Sequence, residues 1–335
     1  MTNRMQTEAR GPGLAVGIVG AGAVAHHHIV AWQSLGATVL IHAPPRGRDV
    51  ADRYRVEFRN DLTDLLQAVD VVDVCTPTDT HLSIALAAID AGRSVMCEKP
   101  LARHPAEARQ MVQAAESAGV HLFPAHVVRY FPAYQTIAQT VRSGTIGTVQ
   151  SLRLSRTGAS PAMAESWLSD VRRSGGLMDL MIHDLDAARW LAGDVETVVA
   201  SQEPATRNGR LPQIVTAQVA LTHRSGALSQ IHATWSAPGI PFRTTIEVWG
   251  TTGSLRHDSS TGDGVLADLG EPRGSLVLPT SESDPYRAQA ADFVTSLTGA
   301  SAPRVTAQDG IAAVELIAAA LDSIETRRPI DINRR

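Results

Sequence analysis

At 335 residues the chain is too long for one typical core, so two domains are the natural expectation. Apolar residues make up 44% and charged ones 19%, the balance of an ordinary folded protein. A net charge of −4 gives no attraction for nucleic acid or an anionic membrane, and no apolar run is long enough to span a bilayer. Residues 1–13 are polar and lack an apolar signal core, so they read as a disordered leader. Cys75 and Cys97 each close an apolar run and read as buried free thiols in a reducing, cytoplasmic setting. Of the 30 basic residues a single one, Lys99, is lysine. A lone lysine in an arginine-rich chain points to a task for a compact ammonium that a planar guanidinium cannot perform.

Residues 16–19 form a short apolar run that enters the turn Gly20-x-Gly22-x-x-Ala25, followed by a helix reaching about Leu35. This is the Gly/Ala form of the dinucleotide fingerprint. Gly20 permits the tight turn, Gly22 lets backbone N–H groups approach a pyrophosphate, and Ala25 lets the helix pack on the strand. Ala23 and Val24 open the helix, whose positive end faces the phosphates. His26, His27 and His28 point in different directions on that helix and do not converge on a metal; they are structural or line the phosphate site.

A second strand is expected over 37–41. It runs out into His42-Ala43-Pro44-Pro45-Arg46 with no carboxylate to bond ribose hydroxyls. His42 and Arg46 therefore tilt the choice between NAD and NADP toward NADP, because arginine can hold a 2′-phosphate. A plain proline-rich surface loop is the alternative. A short strand over 56–58 and a helix over 61–67 follow, then a near-continuous apolar run over 69–75, as in a strand buried on both faces. That run ends in Cys75-Thr76-Pro77, with His81 opening a helix to about Ala91. The strand over 94–97 carries Glu98-Lys99-Pro100 at its carboxyl end; a helix from Pro105 to Gly119 and a sixth strand over 121–125 complete the alternation. The pattern predicts an α/β, doubly wound parallel sheet over 14–126, with Gly20, Thr76 and Lys99 meeting beyond the strand ends.

The rhythm then changes. Alternating runs over 148–156, 197–202, 214–223, 227–235 and 244–249 predict a second, α+β domain over 127–335. Its mainly antiparallel sheet is covered on one face and open on the other. Helices are expected over 285–297 and 306–326, and one of them can pack back on the first domain. Between the strands lies Gly175-Gly176 followed by Asp179, His183 and Asp186. On a helix, Asp179 and His183 are i,i+4 neighbours, so the carboxylate can orient an imidazole that titrates near neutral pH. A zinc reading of Asp179, His183 and Asp186 lacks a further His or Cys cluster, and no metal is assigned.

Hydride transfer explains why these parts occur together. Oxidising an alcohol removes a hydride from carbon and a proton from oxygen; a nicotinamide takes the first, a base the second, and a cation steadies the oxygen. His183 suits the base, Lys99 the cation, and Asp179 the orienter of one or both.

These motifs, Gly20-x-Gly22-x-x-Ala25, Cys75-Thr76-Pro77 with His81, Glu98-Lys99-Pro100, and Gly175-Gly176 followed by Asp179, His183 and Asp186, together resemble the Gfo/Idh/MocA oxidoreductases. The resemblance covers nearly all of the chain after about Leu14. It implies an N-terminal Rossmann domain, a C-terminal open-sheet domain, NAD or NADP, and sugar, cyclitol or related polyol substrates. It also implies a homo-oligomer, dimer or tetramer, formed through the open sheet. The family's catalytic lysine, aspartate and histidine fall on Lys99, Asp179 and His183. Its arginine-containing segment falls on His126 to Tyr130, where Arg129 either touches substrate or braces the domain junction. Trp167 is a further candidate for the substrate pocket. Two other readings share these motifs: a lyase or glycosidase that oxidises its sugar transiently with a tightly held cofactor, and a nucleotide-binding sensor without chemistry.

Overall fold

The computed structural model describes residues 13–160, 167–174, 176–262 and 264–332. The leader expected over 1–13 therefore lies, but for its last residue, outside the described residues. The first sheet has six parallel strands: β1 (Ala15–Val19), β2 (Thr38–His42), β3 (Glu57–Phe58), β4 (Val71–Val74), β5 (Ser94–Glu98) and β6 (Leu122–Ala125). Helices α1 (Ala23–Ser34), α2 (Gly47–Tyr54), α3 (Leu62–Ala68), α4 (His81–Asp90) and α5 (Pro105–Ala118) connect them. The spatial order is β3-β2-β1-β4-β5-β6. The chain reverses direction across the sheet between β1 and β4, and a doubly wound sheet opens its ligand crevice at that point. All five residues of β1 are buried, as a strand covered by helices on both faces requires. Helix α2 replaces part of the surface loop that the prolines before it predict.

The second sheet contains β7 (Val149–Ala159), β8 (Val195–Glu203), β9 (Val215–His223), β10 (Leu228–Ser236), β11 (Arg243–Gly250), β12 (Ser254–Asp258), β13 (Val265–Asp268), β14 (Ser275–Leu278) and β15 (Ile330–Asp331). Their order is β14-β13-β12-β11-β7-β10-β9-β8-β15. Every pairing is antiparallel except β10 with β7, which run parallel from Leu228 opposite Ser151 to Ser236 opposite Ala159. Strands β12 to β15 are absent from the sequence-based expectation. They are short and lie toward the two edges, where little alternation is needed.

Helices α6 (Pro132–Arg142), α7 (Val171–Ser174), α8 (Met178–Ala192), α9 (Pro285–Leu297) and α10 (Ala307–Thr326) complete the chain. The inward residues of the large sheet, including Leu152, Leu154, Val219, Ile231, Ala233 and Val248, share a core with Met181, Ile182 and Leu185 of α8. Both late helices return to the first domain. Phe293 of α9 packs against the rings of Trp32 and Phe123, with centroids 6.4 and 5.1 Å away. Full burial of such a ring contributes about 2 kcal/mol. Helix α10 gives Ile311 and Val314 to the first core and Ala313, Leu316 and Ile317 to the second. One helix thus belongs to both cores and fixes the cleft between them.

Candidate active site

A cleft of about 760 Å³ runs from the glycine turn to the start of α8. Gly20, at φ +120°, donates its N–H to the His42 carbonyl at 3.0 Å, so the turn binds the end of β1 to the end of β2. A Cβ at Gly20 would lie 2.5 Å from the Cys75 carbonyl oxygen. No side chain could occupy the position without moving β4. Gly22 is the N-cap of α1, makes no side-chain cap bond, and would point a Cβ into open space. The first N–H groups of α1 therefore face a bare backbone cradle of the kind that accepts a pyrophosphate, which is the fit a dinucleotide needs. His42, Pro44, Pro45 and Arg46 line the far end, and Thr76 and Pro77 line the side beside Gly20.

At the other end Glu98, Lys99, Trp167, Asp179 and His183 line the same cleft. Lys99 arrives on the turn after β5, and Asp179 and His183 on successive turns of α8, so the two domains each supply part of the site. Lys99 Nζ donates to the Asp179 backbone carbonyl at 3.0 Å and to Asp179 Oδ1 at 3.2 Å. Asp179 thus orients the lysine. No bond joins it to His183, whose Nδ1 is buried without a hydrogen-bond partner among the described residues. Burial holds the His183 pKa well below the ordinary imidazole range, and the Lys99 and Arg156 charges add to the effect. The ring is neutral at neutral pH and able to take a proton. Burial raises the Asp179 carboxyl above its usual range, opposed by the charge and hydrogen bond of Lys99.

Several candidates stand off the cleft. Arg129 is buried in the domain junction: its Nε and Nη2 donate to the two oxygens of Asp186 at 2.8 and 2.6 Å, and its Nη1 to Asp309 at 3.2 Å. It does not line the cleft, and its ion pairs hold the segment after β6 to α8 and α10. Asp186, committed to that guanidinium, is no metal partner for His183. Ala25 is fully buried and serves helix packing, not ligand contact. His81 lies behind the wall, its ring nitrogens 2.9 Å from the carbonyls of Pro100 and Thr76, so it ties the two turns together. Cys75 does line the cleft, but its thiol lies 3.5 Å from Asp73 Oδ1, and burial pushes it up to about 12. The three histidines diverge: His26 meets the Tyr54 hydroxyl, His27 stacks on Tyr286, and His28 turns inward to Asp73. None of them lines the cleft.

Tyr286, in the first turn of α9, closes the cleft from more than a hundred residues beyond His183. Sequence reasoning missed it. The Asp284-Pro285 helix start is legible, but nothing local shows that α9 crosses back to α1. Leu168, next to Trp167, was missed for the same reason.

The family model described as "Oxidoreductase family, NAD-binding Rossmann fold" matches residues 14–126. The model of the GFO/IDH/MocA C-terminal domain matches residues 134–256. Myo-inositol 2-dehydrogenase of Thermotoga maritima is 29% identical over 95% of this chain and 98% of its own. D-apiose dehydrogenase of Paraburkholderia graminis is 32% identical over 71% of this chain and 66% of its own. The crystal structure of GenD2 from gentamicin A biosynthesis in complex with NAD superposes with a TM-score of 0.82, at 26% identity and 98% coverage of each chain. The cleft of glycine turn, single lysine and helix-borne Asp179 and His183 is thus that of a chain belonging to the GFO/IDH/MocA oxidoreductases, a family with an NAD-binding Rossmann fold.

Proposed function

We propose that the protein is an NAD(P)-dependent dehydrogenase or reductase acting on a secondary alcohol, or its ketone, of a sugar, cyclitol or related polyol. The observation that carries this reading is the meeting of Lys99, Asp179 and His183 on one wall of the cleft whose other end is the glycine cradle. When bound, the nicotinamide accepts or returns the hydride. The chain's own residues manage the oxygen. His183, neutral and buried, takes the hydroxyl proton during oxidation and returns it during reduction. The Lys99 ammonium, held by Asp179, steadies negative charge on the same oxygen. Trp167 and Leu168 keep water from the reacting carbon, and Tyr286 covers the cleft beside the phosphate cradle. Relatives named for inositol and apiose support polyhydroxy substrates.

The cofactor choice leans to NADP. Among the cleft residues at the end of β2, His42 to Arg46, none is a carboxylate, and Arg46 suits a 2′-phosphate. Two free, buried cysteines support a reducing, cytoplasmic setting. The exposed face of the large sheet supports a homodimer or tetramer. Fluorescence titration with NAD⁺ and NADP⁺, then a screen of polyols and sugars for formation of reduced nicotinamide, tests the reading. Lys99→Ala and His183→Ala should each remove most turnover and leave cofactor affinity largely intact; wild-type turnover in either would overturn the roles given. Arg46→Ala should weaken NADP⁺ more than NAD⁺, and equal loss would remove the lean.

A further inference from the structure

Beneath the cleft lies a buried charged cluster that the reaction above does not use. His28 of α1 is 1% exposed. Its Nδ1 lies 2.8 Å from Asp73 Oδ2 on β4, and its Nε2 lies 3.1 Å from Glu98 Oε1 on β5. An ionised carboxylate can only accept, so facing two of them both ring nitrogens must carry protons. Each carboxylate also accepts from a fixed N–H, which favours its ionised form: Trp32 Nε1 donates to Asp73 Oδ2 at 2.7 Å, and the Lys99 backbone N–H donates to Glu98 Oε2 at 3.0 Å. Burial draws the ring toward neutrality, but the Asp73 charge and hydrogen bond oppose it, and the net shift is above the ordinary imidazole range. His28, Asp73 and Cys75 also bring metal-type donors within 4.8 Å of one another. Each is already hydrogen-bonded, and a thiol held protonated is a poor ligand.

The cluster joins α1, β4 and β5, the three elements whose ends form the cleft. We propose that His28 is a permanently charged positioning residue for the dehydrogenase reaction. It fixes the Glu98 carboxylate against the backbone of Lys99 and cancels one of two negative charges under the reacting end of the cleft. The positioning role rests on the dehydrogenase reading above. Without the imidazolium, Asp73 and Glu98 are an uncompensated buried pair, and one must take a proton. A protonated, reoriented Glu98 releases the Lys99 N–H, and the ammonium shifts relative to Asp179.

Two measurements test this. In wild-type protein labelled with ¹⁵N-histidine, both His28 nitrogens should report protonation through neutral pH and above; a neutral ring at neutral pH overturns the proposal. The groups facing the ring are Asp73, Cys75, Glu98 and Tyr286, from β4, the turn after it, β5 and α9, and all belong to the measured state. In turnover, His28→Gln should lower kcat by about tenfold to a hundredfold, the cost of a displaced catalytic group. Adding Asp73→Asn removes the matching negative charge and should restore most of that loss. A double variant no better than His28→Gln, or a single variant with wild-type kcat, refutes the positioning role. Should His28→Gln fail to fold while the double variant folds and turns over, the charge-balance argument stands. A wild-type protein idle on every polyol sinks the dehydrogenase reading and the positioning role with it, while the NMR titration alone still decides the charge on His28.

Discussion

His183 has no hydrogen bond on Nδ1 among the described residues, and it lines the same end of the cleft as the Lys99 ammonium. Burial is the largest cause of its lowered pKa, and the Lys99 charge is the next. Removing that charge should therefore raise the pKa while leaving it below the ordinary imidazole value. Lys99→Met tests this by following the His183 ring proton with pH; an unmoved titration would show that the two groups do not sense each other. The same shift fixes the pH behaviour of catalysis. Oxidation needs the neutral ring, so kcat/KM for an alcohol should fall only as pH drops below the ordinary imidazole range. A limb at or above that range would assign the base elsewhere. At this scale the sequence was informative about which residues matter, since Lys99 stands alone among arginines and Asp179 and His183 share a helical face. It was silent on which partner Asp179 would choose. Helical spacing offers the histidine, but the lysine arrives from the other domain, 80 residues away, and an ammonium is the stronger partner for a carboxylate.

Arg129 shows the same limit for whole elements. Its segment ends the first sheet, yet its partners Asp186 and Asp309 lie on α8 and α10, 57 and 180 residues distant. No local pattern separates a substrate arginine from a brace. The strands of the first sheet were legible because most are short, largely apolar runs between turn residues; β12 to β14 were not, because short edge strands need little periodicity. Removing one partner of a buried ion pair costs about 3–5 kcal/mol. Arg129→Met should therefore lower thermal stability markedly without changing a single cleft residue. Lys should not rescue it, since one ammonium cannot reach both Asp186 oxygens and Asp309. An unchanged melting temperature would remove the brace. On the cradle side, Gly20→Ala brings a Cβ 2.5 Å from the Cys75 carbonyl at a φ of +120°. The expected result is loss of cofactor binding out of proportion to loss of helix content by circular dichroism.

For the molecule as a whole, α10 ties the two cores and α9 packs on the first, and among the described residues the outer face of the large sheet is left without a covering element. Its central strands present Thr216, Gln218, Ala220, Gln230, His232 and Thr234, with Val199 45% and Leu228 55% exposed nearby. On β9 and β10 these side chains are uncharged, so the middle of the face has little charge to strip of water, with Arg153 of β7 and Glu247 of β11 beside it. A twofold contact through this face would have to bury about 800 Å² per partner to be stable. Ala220→Arg places a charge from each subunit on that face. It should dissociate the assembly, measured by light scattering, while NAD(P) titration stays unchanged, because the cleft lies on the opposite side of the α8 layer. A wild-type protein that scatters as a monomer at micromolar concentration would leave the sheet as solvent-facing surface. A variant that loses cofactor affinity together with its partner would mean that the cleft and the sheet are coupled through α8, which touches both.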